Sequence, residues 1–473
     1  MSKKRRPFTD ESEARGALGA LSGEHALAQL ASMPDNVRAT LEIPPDPAFA
    51  CPAANLAGAL AARAGVGQRE CMRFQLTVEE FCICLAGLTE GLEPLRLVLT
   101  GKRHQLRAAF SFVAAHLSLG ALNITAGQQV MTLEENADAL GLLLAGKAAD
   151  RFRLRHLGGD CFELEAEVDK IYPPAVPVHA PNALRLPLRP CIAPDRARLT
   201  QAAALAAAAY PPWQCPQSFR TPEQFADMTA DGDVACVLIC DAGGQTAGLM
   251  TWRPCSARAL YFSGPFLFVP PDAAPGMAEA VARQLLEDFL AAVARESYDI
   301  VLSFRPTAEL PRSAFEPLGE LQICAADNLI QQPVVFRHLR EDNGLAVWCS
   351  PCMEDFLRQT YDLLALPRDI LPVTEPCTRP RRASLLGASV DQVRSLGELE
   401  PFLDGDDLAT NLAAHVTALQ AKGIRTILYS MDLAVPWEAA QAGELRRAGF
   451  VPKVLLPQGG QADKVIWQHE QPA

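Results

Sequence analysis

The segment Leu260–Phe304 places an apolar strand, a short loop rich in proline, a long helix and a second apolar strand in immediate succession. The pattern predicts the first strand over Leu260–Val269, the helix over Ala278–Glu296 and the second strand over Ile300–Phe304. The first turn of a helix carries unpaired N–H groups at the positive end of the helix dipole. The loop before this helix is therefore a candidate site for a pyrophosphate.

The loop reads Ala273-Ala-Pro-Gly276-Met-Ala278, and it resembles the Gln/Arg-x-x-Gly-x-Gly/Ala loop of GNAT-type N-acetyltransferases. Gly276 and Ala278 fit that pattern, whereas Ala273 stands where the family has arginine or glutamine, and Pro275 removes one N–H. The resemblance covers about residues 185–345. It implies that acetyl-CoA or another acyl-CoA binds here and that its acyl group passes to an amine of a small molecule or protein. The cofactor-binding residues that it implies are Phe268, Val269, Ala274, Gly276, Met277 and Ala278.

The acid and base of such a transfer are not assigned by the sequence. A general base must take a proton from the amine, and an acid must protonate the departing thiolate. The family often uses a tyrosine beyond the fifth strand, but no tyrosine lies between Tyr298 and Tyr361. Glu309 and Glu316 are candidate bases by location only, and Tyr361 is more simply interpreted as a residue packed on a core.

A second resemblance lies in the N-terminal third, over about residues 50–172. The predicted helix Met72–Leu88 is similar to the first ATP-site helix of the histidine-kinase-like ATPases, especially the anti-sigma-factor serine kinases, which reads Val-Glu-Glu-x-x-x-Asn. Glu80 matches the glutamate, but Cys84 replaces the magnesium-binding asparagine, and a thiol is a poor ligand for magnesium. Gly141 lies in a stretch similar to the family's GLGL helix. These three residues are interpreted as a nucleotide-site remnant, and the missing Asp-x-Gly-x-Gly segment argues against ATP binding.

Proline-rich joints divide the chain into four parts. They are a polar, helix-prone segment (1–45), a degenerate histidine-kinase-like ATPase domain (46–175), a GNAT-like acyl-CoA domain (185–345) and a C-terminal GNAT-like half domain (346–473). The predicted fold class is α/β (α+β). An antiparallel sheet covered by helices on one face is expected first, then a mixed sheet with helices on both faces, and then a partial copy of that unit. The acidic loop Leu403–Leu408 of the copy would repel a pyrophosphate.

Composition excludes several classes of function. With 43 basic and 55 acidic residues the net charge is −12, which disfavours nucleic acid as a partner. No run approaches the roughly 18–20 apolar residues of a membrane span, and no signal peptide follows the basic run 3–6, so a cytoplasmic protein is expected. The 14 cysteines are scattered, and a single CxxC pair predicts no metal site.

Two functions remain open. One is an acyl-CoA-dependent N-acyltransferase, which Gly276 and Ala278 favour. The other is a catalytically inactive regulatory protein that binds a protein partner through its anti-sigma-kinase-like module, as in bacterial partner switching. Cys84, Ala273 and the missing tyrosine favour this alternative.

Overall fold

The computed structural model describes residues 37–89, 93–114, 117, 119–126, 136–325, 328–373 and 383–470. Most of the predicted N-terminal segment, including its basic run, lies outside these ranges. So do the first residues of a helix that the pattern predicts over about Leu133–Lys147, and the second half of the proline-rich joint Pro367–Pro380. The strands are β1 Val37–Ile43, β2 Leu95–Gly101, β3 Gln105–Val113, β4 Arg151–Gly158, β5 Cys161–Asp169, β6 Arg189–Pro190, β7 Ala235–Cys240, β8 Thr246–Pro254, β9 Ala259–Leu267, β10 Ile300–Ser303, β11 Glu316–Ala325, β12 Asn328–His338, β13 Leu345–Cys349, β14 Arg368–Pro372, β15 Leu385–Asp391, β16 Leu396–Leu403, β17 Thr426–Asp432, β18 Phe450–Leu456 and β19 Lys464–His469. The α-helices are α1 Ala50–Arg63, α2 Gln68–Leu88, α3 Asn136–Ala148, α4 Arg196–Ala209, α5 Pro222–Ala230, α6 Met277–Val293, α7 Glu354–Leu364, α8 Leu408–Ala421, α9 Pro436–Ala440 and α10 Ala442–Arg447.

The N-terminal unit is an antiparallel sheet in the order β1-β2-β3-β5-β4, with α1, α2 and α3 packed on one face. Alternate residues of each strand, such as Leu97 and Phe110, point into the core under the helices. The intervening residues form a charged face, where Arg151 contacts Glu167 at 2.8 Å and Asp169 at 2.6 Å. The predicted one-sided sandwich is observed, although the structure does not test its kinship with the ATPases.

Two elements of this unit differ from the sequence prediction. Val37–Ile43, within the segment predicted to be helix-prone, is edge strand β1, paired with β2 along its whole length. Its side chains alternate between half-buried and exposed positions, which is the pattern of a strand with one face on a core. Helix α1 was not predicted because its alanines give little contrast between an apolar and a polar face.

The middle unit is a seven-stranded mixed sheet in the order β11-β12-β10-β9-β8-β7-β6. Among the described strands of this sheet, only β9 and β10 run parallel to each other, and α6 connects them. Helices α4 and α5 pack on one face of the sheet, and α6 packs on the other. The element order implied by the resemblance, from the leading helix through the hairpin to the strand, loop, long helix and strand, is present.

One predicted element of the middle unit is wrong. The residue pattern predicts a short helix near Thr307–Leu318, but the segment forms a single 3-10 turn at Arg312–Ala314 and then β11, which begins at Glu316. Pro306, Pro311 and Pro317 each deny the segment a backbone donor, so a continuous helix cannot form there.

The C-terminal unit repeats the connectivity of the middle unit. Its sheet has the order β15-β16-β17-β19-β18, and β16 and β17 form a parallel pair joined by α8. The antiparallel pairs on either side match β8–β9 and β10–β12–β11 of the middle unit. The parallel pair β13–β14 and helix α7 complete the unit. The internal duplication predicted from the element pattern is therefore present in the strand connectivity.

The three units are in direct contact. Strands β11 and β18 lie side by side, and the Gln468 side chain exchanges hydrogen bonds of 3.0 and 2.6 Å with the backbone of Gln322. Apolar residues of both units, including Leu321 and Val454, form one shared core cluster. Within the described ranges, every helix is too short or too polar to cross a lipid bilayer.

Candidate functional site

The loop between β9 and α6 is built around Gly276. This residue is the N-cap of α6 with φ +79°, a conformation that costs other residues about 1–2 kcal/mol. A side chain built on Gly276 would meet no atom within 4 Å, so the loop is open to solvent at this point. A larger molecule can therefore approach the backbone closely.

Backbone donors at the start of α6 are available to a ligand. The N–H of Met277 donates to Ala274 O, but those of Gly276, Ala278 and Glu279 make no hydrogen bond with any described residue. Together with the dipole of a 17-residue helix, these donors can hold an anionic group. The loop itself supplies no cationic side chain, because Ala273 occupies the position of the family's arginine or glutamine.

The predicted cofactor-binding residues divide into two groups. Ala274, Gly276 and Ala278 are exposed in the loop, as a contact with a ligand requires. Phe268 and Met277 are buried, and Phe268 belongs to the core under α4 and α5. Val269 is half-buried against the core on the α6 side. The structure thus brings the whole set to one end of β9, with three of its members open to solvent.

Past their parallel pairing, β9 and β10 remain close together. The last regular pair is Tyr261 with Leu302, and an isolated bridge joins Gly264 to Pro306. The hydroxyl of Thr307 donates to Pro265 O at 2.8 Å. A pantetheine arm could enter only beyond this contact, beside Leu267.

Tyr210, the C-cap residue of α4, lies at that position. Its hydroxyl accepts a 2.8 Å hydrogen bond from the N–H of Leu267, and its ring packs edge-on against Phe266. Glu309 lies beside the hydroxyl, and its Oε2 is buried without a hydrogen-bond partner in the described part of the chain. Burial raises the pKa of Tyr210 well above its ordinary value, and the neighbouring carboxylate raises it further. The phenol therefore keeps its proton at neutral pH.

Sequence reasoning missed Tyr210 and could place Glu309 only by location. The two residues are 99 positions apart, and the expected tyrosine was sought after the fifth strand rather than before the second. A usable signal was present in the Tyr210-Pro-Pro sequence, because prolines directly after a helix fix where its last side chain points.

The residues fit the two ends of an acyl-CoA unequally. Free N–H groups at the start of α6 suit its diphosphate. At the acyl end, the N–H of Leu267 and the hydroxyl of Tyr210 suit an amide or a thioester, but they are bonded to each other. Binding must exchange that hydrogen bond for one with the ligand.

The equivalent helix end in the C-terminal unit is covered by the protein itself. A Cβ on Gly405 would lie 2.3 Å from the backbone nitrogen of Ser384, and that N–H donates to Asp407 at 2.6 Å. Asn411, in the first turn of α8, donates to both oxygens of Ser384. The protein's own groups thus occupy this helix end, whereas the corresponding end at Gly276 is open.

The three residues of the predicted nucleotide-site remnant are only partly brought together. A Cβ on Gly141 would lie 2.6 Å from Oε2 of Glu80, so α2 and α3 touch at this point. Cys84 is 7% exposed and belongs to the core of the N-terminal unit. The structure shows how these helices pack and leaves the nucleotide-site interpretation a prediction.

One group of possible metal ligands joins the N-terminal and middle units. His104, Asp231 and Asp233 bring ligand atoms within 4.8 Å of one another. The Asp231 carboxylate already binds Arg103, and that of Asp233 binds Lys102. With its charge balanced by these cations, the cluster is an ion-pair contact between the units.

No family model matches the sequence, and no curated protein matches it. Solved structures that resemble about a third of the chain are acetyltransferases. One is a chimera of the spermidine N-acetyltransferases of Vibrio cholerae and human, at 15% identity and a TM-score of 0.26, covering 32% of this chain and 95% of the other. A phosphinothricin acetyltransferase of the GNAT superfamily from Sinorhizobium meliloti, in complex with acetyl-CoA, has 16% sequence identity and a TM-score of 0.24, and the match covers 32% of this chain and 87% of the other. A GNAT family N-acetyltransferase from Escherichia coli, in complex with CoA, has 20% sequence identity and a TM-score of 0.24, and the match covers 35% of this chain and 87% of the other. These identities and TM-scores are too low to carry an inference about fold or function.

Proposed function

We propose that the protein is an acyl-CoA-dependent N-acyltransferase of the GNAT type, with its site in the middle unit. The observation that carries the proposal is the open loop at Gly276, where three backbone N–H groups at a helix start have no partner among the described residues. The element order of the seven-stranded sheet, which follows the one implied by the GNAT resemblance, supports it. The acyl acceptor is an amine.

In this proposal, Gly276, Ala278 and Glu279 hold the diphosphate through their N–H groups. A bound acyl-CoA supplies an acyl group activated as a thioester. Leu267 N–H donates a hydrogen bond to the acyl end and Tyr210 supplies a proton to the leaving sulfur. Glu309 would take a proton from the amine as the amine nitrogen bonds to the acyl carbon and the carbon–sulfur bond breaks.

A catalytically inactive regulatory protein is the alternative. The hydrogen bond between Leu267 and Tyr210 favours it, because the two groups that would serve the acyl end satisfy each other. Ala273 also leaves the diphosphate without a cationic partner. In this alternative the N-terminal unit binds a protein partner, and the middle unit senses a ligand or serves only as a scaffold.

Calorimetric titration of acetyl-CoA into wild type and Gly276→Trp separates the two. Wild type should bind, and the variant should not, because the indole would occupy the space beside the free N–H groups. Gly423→Trp is the matched control. Gly423 has nearly the same φ of +78° and the same open space, but lies after α8, far along the chain from the loop. It carries the same backbone strain and should bind as wild type does.

The absence of heat and of thermal stabilisation by millimolar acetyl-CoA in wild type would reject the enzyme and leave the regulatory protein. Equal loss of binding in both variants would mean that strain, rather than the loop, governs affinity.

A further inference from the structure

A small cavity lies where the middle and C-terminal units meet. Arg305, two residues after the end of β10, lines it together with Arg394 from the turn between β15 and β16. Trp213, from the connection between α4 and α5, forms a further wall, and Ile323 and Leu396 contribute apolar surface. Two guanidinium groups from different units thus share one apolar enclosure.

The positive charge in this cavity is not balanced. The Asp391 carboxylate accepts two hydrogen bonds from Arg220, at 2.9 and 3.0 Å. One of its oxygens also lies 3.5 Å from Nε of Arg394. Arg305 forms neither a hydrogen bond nor an ion pair with any residue in the described ranges. The other carboxylate that acts on both cavity arginines, Glu398, is exposed.

Burial and neighbouring arginines together disfavour these charges. They lower the pKa of Arg394 to about 9, and burial lowers that of Arg305. An arginine keeps its proton in proteins, so the lowered pKa reflects an electrostatic cost that a bound anion would relieve. The Arg394 side chain is 10% exposed and is fixed by hydrogen bonds to the carbonyls of Pro212 (3.2 Å) and Cys215.

Guanidinium groups bind carboxylates and phosphates. Their parallel N–H donors match the two oxygens of a carboxylate, and such paired hydrogen bonds are stronger than neutral ones. The free volume of the cavity is about 10 Å³, roughly the space of one water molecule, so only the planar carboxylate end of a ligand could reach between the arginines, beside the indole of Trp213.

Two connections, the one between α4 and α5 and the one between β10 and β11, contribute residues both to this cavity and to the proposed site at the end of β9. Tyr210 and Trp213 are three residues apart, and Arg305 precedes Glu309 by four. Gln214 ties the loops together by donating to Pro306 O at 3.2 Å. We propose that this cavity binds the carboxylate of the acyl acceptor, so that the acceptor is an amino acid or a similar small amino carboxylate. The anion site stands on its own geometry, whereas its assignment to an acceptor rests on the proposed function.

The anion site is tested on the full chain without acetyl-CoA. Titration with sodium acetate should raise the melting temperature of wild type, whereas sodium chloride at matched ionic strength should not. Arg305→Gln should weaken acetate binding by about 10- to 100-fold. Because Arg305 has no partner to lose, this variant should fold at least as well as wild type. Arg312→Gln, an exposed arginine on the same connection, is the matched control and should bind acetate normally.

Acetate that leaves wild type unaffected would overturn the anion site. Inorganic phosphate binding as tightly as acetate would overturn the carboxylate assignment, since it would show recognition of charge alone.

The acceptor class is tested by thiol release from acetyl-CoA with an amino acid and with its carboxamide. Wild type should prefer the amino acid at least about 10-fold in kcat/KM, and Arg305→Gln should lose that preference. Equal use of the two amines by wild type would reject the acceptor assignment. If acetate binds but acetyl-CoA does not, the proposed function fails while the anion site stands.

Discussion

Tyr210→Phe is the substitution that best examines the candidate site. It removes one hydroxyl and keeps the ring in its edge-on contact with Phe266, 5.1 Å between centroids. The N–H of Leu267 then loses its 2.8 Å acceptor. A buried donor left without a partner costs about 1–3 kcal/mol, and since Leu267 is half-buried, the loss in free energy of unfolding should be about 1–2 kcal/mol.

The effect on turnover should be larger than the effect on stability. If the hydroxyl protonates the leaving thiolate, its removal should lower kcat by about 10²- to 10⁴-fold. Affinity for acetyl-CoA should change much less, because the freed Leu267 N–H becomes available to the ligand.

Urea denaturation, with an unchanged m-value, measures the loss in free energy of unfolding, and thiol release from acetyl-CoA measures the fall in kcat. Tyr298→Phe is the control, since the Tyr298 hydroxyl forms no hydrogen bond with another described residue. A Tyr210→Phe protein as stable and as active as the Tyr298→Phe protein would refute both the hydrogen bond and the proton-donor role.

Three further substitutions test the framework around the site. Arg368→Met removes a fully buried guanidinium that holds Asp342 and Asp463 at 2.7–2.9 Å, so the free energy of unfolding should fall by about 3–5 kcal/mol at pH 7. Burial opposes the charge of Asp342, but hydrogen bonds from Arg368 lower its pKa, so wild type loses stability as pH falls through that pKa. The variant should instead gain stability as pH falls, because the buried Asp342 carboxylate has lost its cationic partner. Burial raises the pKa of Glu438 to about 8, so wild-type stability should fall between about pH 5 and 8, and a Glu438→Gln protein with the same pH profile would contradict this assignment. Gln468→Ala should cost about 1–3 kcal/mol and speed proteolysis between the units, and an unchanged proteolysis rate would show that the apolar contacts suffice.

The sequence predicted the segments in which apolar periodicity is strong. Strand β9, helix α6 and strand β10 were placed within three residues of their ends. The pattern also predicts a hairpin over Leu95–Leu99 and Leu106–Val113, which is β2–β3, with its outer ends in place and its turn-side ends within two residues. These elements are buried on one or both sides, so their side chains follow the geometry of the core.

The elements that sequence reasoning missed or misjudged are those in which local pattern and tertiary context disagree. Strands β13 and β14 have five residues each and pair with each other across helix α7, so neither shows a clear period. The helix predicted over Trp437–Ala448 is divided at Gln441 into α9 and α10. The hydrogen bond between Tyr210 and Leu267 joins residues 57 positions apart. Arg305 and Arg394, which line the same cavity, are 89 positions apart. No local pattern encodes the approach of residues so distant in the chain.

The core shared by the middle and C-terminal units limits how the chain can be divided. A fragment ending after β12 would leave Leu321 and its apolar neighbours without Val454, Leu456 and Ile466, which cover them in the whole chain. It would also turn β11 into an uncovered edge strand, a template for pairing with another copy of itself. Expressed without the C-terminal unit, the middle unit should therefore aggregate, because the C-terminal unit buries this apolar surface in the whole chain.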